Sequence, residues 1–114
     1  METRVLPRDG WILVAIRGRL DMNSAGTLEQ ELEAVIEGGQ RRLAIDMDGL
    51  DYLSSAGLRA LLVAARKLQA VDGKLVLVGL RGTVKDVLEL AGLANVFPVF
   101  ATEAELLAAL PDWR

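Results

Sequence analysis

The stretch Leu43–Leu68, LAIDMDGLDYLSSAGLRALLVAARKL, changes its hydrophobic period partway along, and that change decides the fold class. Leu43, Ile45 and Met47 alternate with Ala44, Asp46 and Asp48, the two-residue period of a strand. Beyond Ser54-Ser55, the residues Leu58, Leu61, Leu62, Ala65 and Leu68 recur at three- and four-residue spacing, the buried stripe of a helix. A strand over Leu43–Asp48 therefore feeds a short loop, and the loop feeds a helix whose first residues are small and polar.

The same alternation extends in both directions. Upstream, Asp9-Gly10 is a hairpin turn between Arg4-Val5-Leu6 and the run Trp11 to Gly18. Pro7 cannot donate to a ladder, which places the first arm at a sheet edge. In the second arm Ile12, Val14 and Ile16 alternate with Leu13, Ala15 and Arg17, as expected of a sheet with one well-covered side. Asn23 or Ser24 is suited to cap a helix carrying Leu28, Leu32, Val35 and Ile36, which Gly38-Gly39 ends. Downstream, Asp72-Gly73 turns the chain into a strand from Lys74 to Gly79. Thr83 with Asp86 reads as a capping box opening a third helix, which Gly92 closes. Phe97 to Phe100 is a short strand, and Pro98 within it argues for an edge. Thr102 with Glu105 is a second capping box, for a last helix that stops at Pro111. The order is β-β-α-β-α-β-α-β-α. It predicts one α/β domain over residues 1–114, with four helices and a mixed, mostly parallel sheet of four to five strands.

Composition narrows the chemistry. The 114 residues are 52% hydrophobic and 25% charged, which suits a globular fold with one core. There is no cysteine and no histidine. Disulfides and thiol chemistry are thereby removed, together with the commonest general base and zinc ligand. The net charge is −3 and the basic residues are scattered, which argues against a nucleic-acid partner. The pair Arg41-Arg42 reads as a solvated strand entrance. No apolar run approaches the length needed to span a bilayer, and Met1-Glu2-Thr3-Arg4 carries no signal-peptide pattern, so the expected location is the cytoplasm, away from membranes.

Gly79-Leu80-Arg81-Gly82 follows a strand but lacks the lysine and glycine spacing of a phosphate loop, and reads as a strand-to-helix turn. Asp46, Asp48 and Asp51 could in principle collect magnesium, but with no phosphate-binding motif beside them they read as a solvated sheet rim. A serine hydrolase would need a base, and neither histidine nor a Ser-x-x-Lys is present. The chain is therefore expected to be a binding protein, with no enzyme activity, metal or cofactor.

The residues that carry a functional signal are Ser54 and Ser55. Capping needs one serine. With Ser54 as the cap, Ser55 falls in the first turn with its hydroxyl facing solvent. A phosphoryl group there would meet unpaired backbone N–H groups and the positive end of the helix dipole.

Tyr52-Leu53-Ser54-Ser55-Ala56-Gly57-Leu58-Arg59 resembles the signature of STAS domains, specifically the bacterial anti-sigma factor antagonists. The resemblance extends to Gly18-Arg19-Leu20-Asp21 and to Val84–Val96 with its Leu90-Ala91-Gly92-Leu93, and so covers nearly the whole chain. In that family the antagonist binds an anti-sigma factor that is also a serine kinase of the GHKL ATPase type, and sigma factor is released. The kinase phosphorylates the antagonist at the helix start and dismisses it, and a PP2C-type phosphatase resets the switch. By position Ser55 matches the phosphorylated residue, and Asp21 matches an acid beside it in the partner-binding surface. The resemblance thus implies a partner surface of Asp21, Asn23, Ser54, Ser55, Ala56, Gly57 and Arg59. Two departures stand out. Many members have Asp directly before the phosphoserine where this chain has Ser54, which makes Ser54 the alternative acceptor, and Arg59 replaces a frequent glycine. The competing expectations are a STAS subunit of another signalling or transport assembly, and a module that binds a small anionic ligand such as a nucleotide at the same helix N-terminus.

Overall fold

The structure is a computed structural model that describes residues 1–93 and 95–113. Its elements are β1 (Glu2–Pro7), β2 (Ile12–Leu20), α1 (Ala25–Glu37), β3 (Arg42–Leu53), α2 (Ser55–Gln69), β4 (Lys74–Val78), α3 (Gly82–Leu90), β5 (Val99–Phe100) and α4 (Glu103–Ala109), followed by a 3-10 turn, Pro111–Trp113. The five strands lie side by side in chain order. β1 pairs antiparallel with β2, and every later pairing is parallel. β1, with Pro7 at its end, is an outer strand, and so is β5 with Pro98 just before it, as the prolines predict.

Each parallel step moves one strand along the sheet. Crossovers of one hand therefore place their helices on one face. Leu28, Leu32 and Ile36 of α1, Leu58, Leu61, Ala64 and Leu68 of α2, and Val84 and Leu88 of α3 all pack there. They meet Val14, Ile16, Leu43, Ile45, Met47, Leu75 and Leu77, the inward residues of β2, β3 and β4. On α2 the buried small residues are Gly57, Ala60 and Ala64, while Leu62 and Ala65, expected in the stripe, are half-buried at its margin.

Four expectations change. The sheet is covered on part of its second face as well. There Trp11, Leu13, Ala44, Val76 and Val78 form a smaller core with Leu106 of α4 and Trp113, whose ring centroid lies 5.5 Å from that of Trp11. β3 continues to Leu53, through the segment expected to be a loop, because its pairing with β2 resumes at Gly49 and runs to Leu53, with one register shift before Gly49 and one after Leu50. Thr83 does not cap α3: Arg81 holds the N-cap position, without a side-chain cap, and Thr83 falls inside the first turn. Ser24 takes the N-cap position of α1, yet its hydroxyl does not cap the helix. By contrast Thr102 accepts from the Glu105 N–H at 3.1 Å, as a capping box requires.

Candidate functional site

The parallel register sets the site. Arg19 stands opposite Tyr52 and Leu20 opposite Leu53, so the chain leaves β2 and β3 at the same end of the sheet. The Ser54 N–H donates to the Leu20 carbonyl at 2.9 Å and ties the start of α2 to the end of β2. Gly57 makes this approach feasible. A Cβ there would lie 2.6 Å from Leu20 Cγ, 2.9 Å from Leu53 Cδ1 and 3.0 Å from the Leu20 carbonyl oxygen. Any larger residue would push helix and strand apart.

Ser54 has extended backbone angles, its hydroxyl accepts from the Gly57 N–H at 3.2 Å, and its carbonyl accepts from the Leu58 N–H at 3.0 Å. It is the cap, as expected. Ser55 is the first residue of α2; it is exposed, and its hydroxyl makes no hydrogen bond among the described residues. Neither the Ser55 nor the Ala56 N–H has a partner among those residues, and the first turn of α2 holds no acidic side chain. The positive end of a 15-residue helix thus faces outward uncompensated.

Beside it lies the turn between β2 and α1. Ser24 Oγ donates to the Arg19 carbonyl at 2.9 Å and accepts from the Asp21 N–H at 3.0 Å, which is why it is not free to cap α1. Asp21 Oδ1 accepts from the Asn23 N–H at 2.9 Å. These local bonds hold Asp21 and Asn23 in a fixed turn next to the α2 start. The junction brings together two groups of expected site residues, Asp21 and Asn23 on the turn, and Ser54, Ser55, Ala56, Gly57 and Arg59 on the helix. Ala56 is half-buried, Gly57 is buried, and Arg59 is exposed.

Three further residues share this surface and were not singled out from the sequence. The Arg19 guanidinium lies 4.2 Å from the centroid of the Tyr52 ring and 3.9 Å from Asp21 Oδ2. Tyr52 is 41% exposed and Met22 80%, which is unusual for such side chains and leaves apolar area open to a partner. Their alternation in sequence marks them as strand and turn residues, but the Arg19–Tyr52 contact exists only through cross-strand register.

The acids Asp46, Asp48 and Asp51 are not a bare rim. Asp46 Oδ1 accepts from the Asp48 N–H at 3.0 Å, and Arg81 lies 3.5 Å from Asp48 Oδ1 and 3.8 Å from Asp51 Oδ1. Arg81 also donates to the Asp48 carbonyl at 2.6 Å. Among the described residues these acids form no group arranged to hold a metal ion. Gly79-Leu80-Arg81-Gly82 is the turn between β4 and α3, as read from the sequence.

The family model for the STAS domain matches residues 2–106. The chain belongs to the STAS domain family, in its anti-sigma factor antagonist branch. This STAS domain is 42% identical over 101 residues, 89% of its length, to BtrV of Bordetella bronchiseptica, assigned as an anti-sigma factor antagonist, and spans 86% of that protein. It is 29% identical over 112 residues to the anti-sigma-F factor antagonist RsfB of Mycobacterium tuberculosis, covering 96% of this chain and 89% of RsfB. Its fold matches the crystal structure of an anti-sigma factor antagonist from Mycobacterium paratuberculosis with a TM-score of 0.86 at 33% identity, over 97% of this chain and 94% of that one. Among the described residues, no helix of the STAS domain is long and apolar enough to cross a membrane.

Proposed function

We propose that this STAS domain, one unit over residues 1–114, binds an anti-sigma factor in the cytoplasm and is switched off by phosphorylation of Ser55. The observation that carries the reading is the division of labour between two adjacent serines. Ser54 is occupied as the helix cap. Ser55 presents a free hydroxyl at an uncompensated helix N-terminus, next to the fixed turn of Asp21 and Asn23. Ser54 is half-buried and its oxygen is engaged with the Gly57 N–H, whereas Ser55 is exposed and a phosphate there leaves every hydrogen bond of the junction in place.

The partner in this reading is an anti-sigma factor that is also a serine kinase of the GHKL ATPase type, with a PP2C-type phosphatase restoring the unmodified state. The regulator binds and does no catalysis itself. Contact comes from Asp21, Asn23, Ser55 and Arg59, supplemented by Met22 and Tyr52. A phosphate adds about −1.5 to −2 charges at the centre of that surface. In a docked interface it would lose water and meet no counter-charge on the partner, which favours dissociation.

Incubation with the cognate kinase and ATP, followed by mass spectrometric mapping, should place phosphate on Ser55. Ser55→Asp should melt within a few degrees of wild type yet bind the anti-sigma factor at least about tenfold more weakly, a loss of roughly 1.4 kcal/mol. Phosphate found only on Ser54, or undiminished binding by folded Ser55→Asp, overturns the reading.

A further inference from the structure

Arg59 lies one helical turn beyond Ser55 on α2, and both residues are exposed. Residues four apart stack on one helix face, with Cβ atoms about 5–6 Å apart. Side chains lean toward the helix N-terminus, so Arg59 reaches back over the turn that carries Ser55. It is the sole cation in the first two turns of α2.

Two other cations near this end are engaged. Arg19 is held over Tyr52 and beside Asp21, and Arg81 is held by Asp48 and Asp51. Farther along α2, Lys67 pairs with Glu33 at 3.1 Å. Among the described residues Arg59 makes neither an ion pair nor a side-chain hydrogen bond.

Resting on the reading of Ser55 as phosphoacceptor, we propose that Arg59 clamps the Ser55 phosphate from within the same helix. Modification then changes the surface twice: it adds the phosphate charge and withdraws Arg59 from the partner. A guanidinium suits this role because its planar fork can give a phosphate two parallel N–H donors. In the unmodified protein the same side chain is free to meet an acidic group on the anti-sigma factor. The clamp also keeps the modified helix start in its native form, since the new charge is answered by the helix dipole and by Arg59 together.

Phosphoserine installed at position 55 by genetic code expansion makes the test independent of any kinase. A phosphorus NMR titration then reads the second ionisation of the phosphate. An opposite charge beside it favours the dianion, so the midpoint should lie about half a pH unit lower in the wild-type background than in Arg59→Gln. Arg59→Lys should recover part of that shift, and Arg19→Gln should titrate like wild type. Circular dichroism confirms that each exposed-site variant is folded. Equal midpoints in wild type and Arg59→Gln overturn the clamp, as does a shift that appears in Arg19→Gln instead. A clamp present in this phosphoprotein while no cognate kinase modifies Ser55 overturns only the proposed function.

Discussion

Replacing Ser54 with alanine removes the acceptor of the Gly57 N–H at the start of α2. Loss of an N-cap hydroxyl costs about 0.5–2 kcal/mol. Ser55→Ala removes an exposed hydroxyl with no hydrogen-bond partner among the described residues, and should stay within about 0.5 kcal/mol of wild type. Urea denaturation of the two variants checks this asymmetry, and equal losses would mean that the cap is misassigned. The cap and the exposed second serine were legible in the sequence, since capping needs one hydroxyl and leaves the other in the first turn. Arg19, Met22 and Tyr52 were not legible, because what gathers them is pairing between β2 and β3.

At the scale of the element, α2 is the piece that carries the site, and its hold on the sheet fixes where Ser55 stands. Leu61 is fully buried between α2 and the strands. Leu61→Ala should cost about 2–5 kcal/mol through lost burial and the cavity left behind. A loss below about half a kcal/mol in chemical denaturation would show that the helix faces the sheet differently. The ion pair of Lys67 with Glu33 links α2 to α1, but both side chains are about two-fifths exposed, at 41% and 42%, so solvent screens it and it contributes little. The helix was legible from its apolar spacing. Its stripe is shifted slightly, to Ala60 and Ala64 with Leu62 and Ala65 at the margin, because which flank of a helix lies deepest depends on how it is rotated against the sheet.

At the scale of the whole molecule, the second core ties α4 and Trp113 to the hairpin. Trp113 is 2% exposed and packs on Trp11, while Arg42 donates to the Asp112 carbonyl at 2.5 Å. Arg8 donates to Glu103 at 2.7 Å and fastens the β1–β2 turn to α4. That hydrogen bond raises the Arg8 pKa above its already high ordinary value, with burial opposing weakly, so the guanidinium stays charged at any working pH. Trp113→Ala should cost about 3–5 kcal/mol through lost burial and the cavity left behind. Circular dichroism during urea denaturation measures it, and a cost below about half a kcal/mol would mean that the terminal turn does not contribute to the cooperative fold.

By itself the sequence determined the order of elements, the outer positions of β1 and β5, the capping roles of Ser54 and Thr102, and the solvent-facing position of Ser55. These follow from local rules: side-chain period, the missing N–H of proline, and hydroxyl groups that bond within three residues. Tertiary structure decided the extension of β3 to Leu53, the second core under α4, the capture of Ser24 by the Arg19 carbonyl and of Asp48 and Asp51 by Arg81. All but the capture of Ser24 depend on partners distant in the chain, and that one depends on how the end of β2 turns into α1. A strand that continues because its neighbour continues, or an acid such as Asp48 held by Arg81, 33 residues on, has its cause in register and packing, which no local pattern encodes.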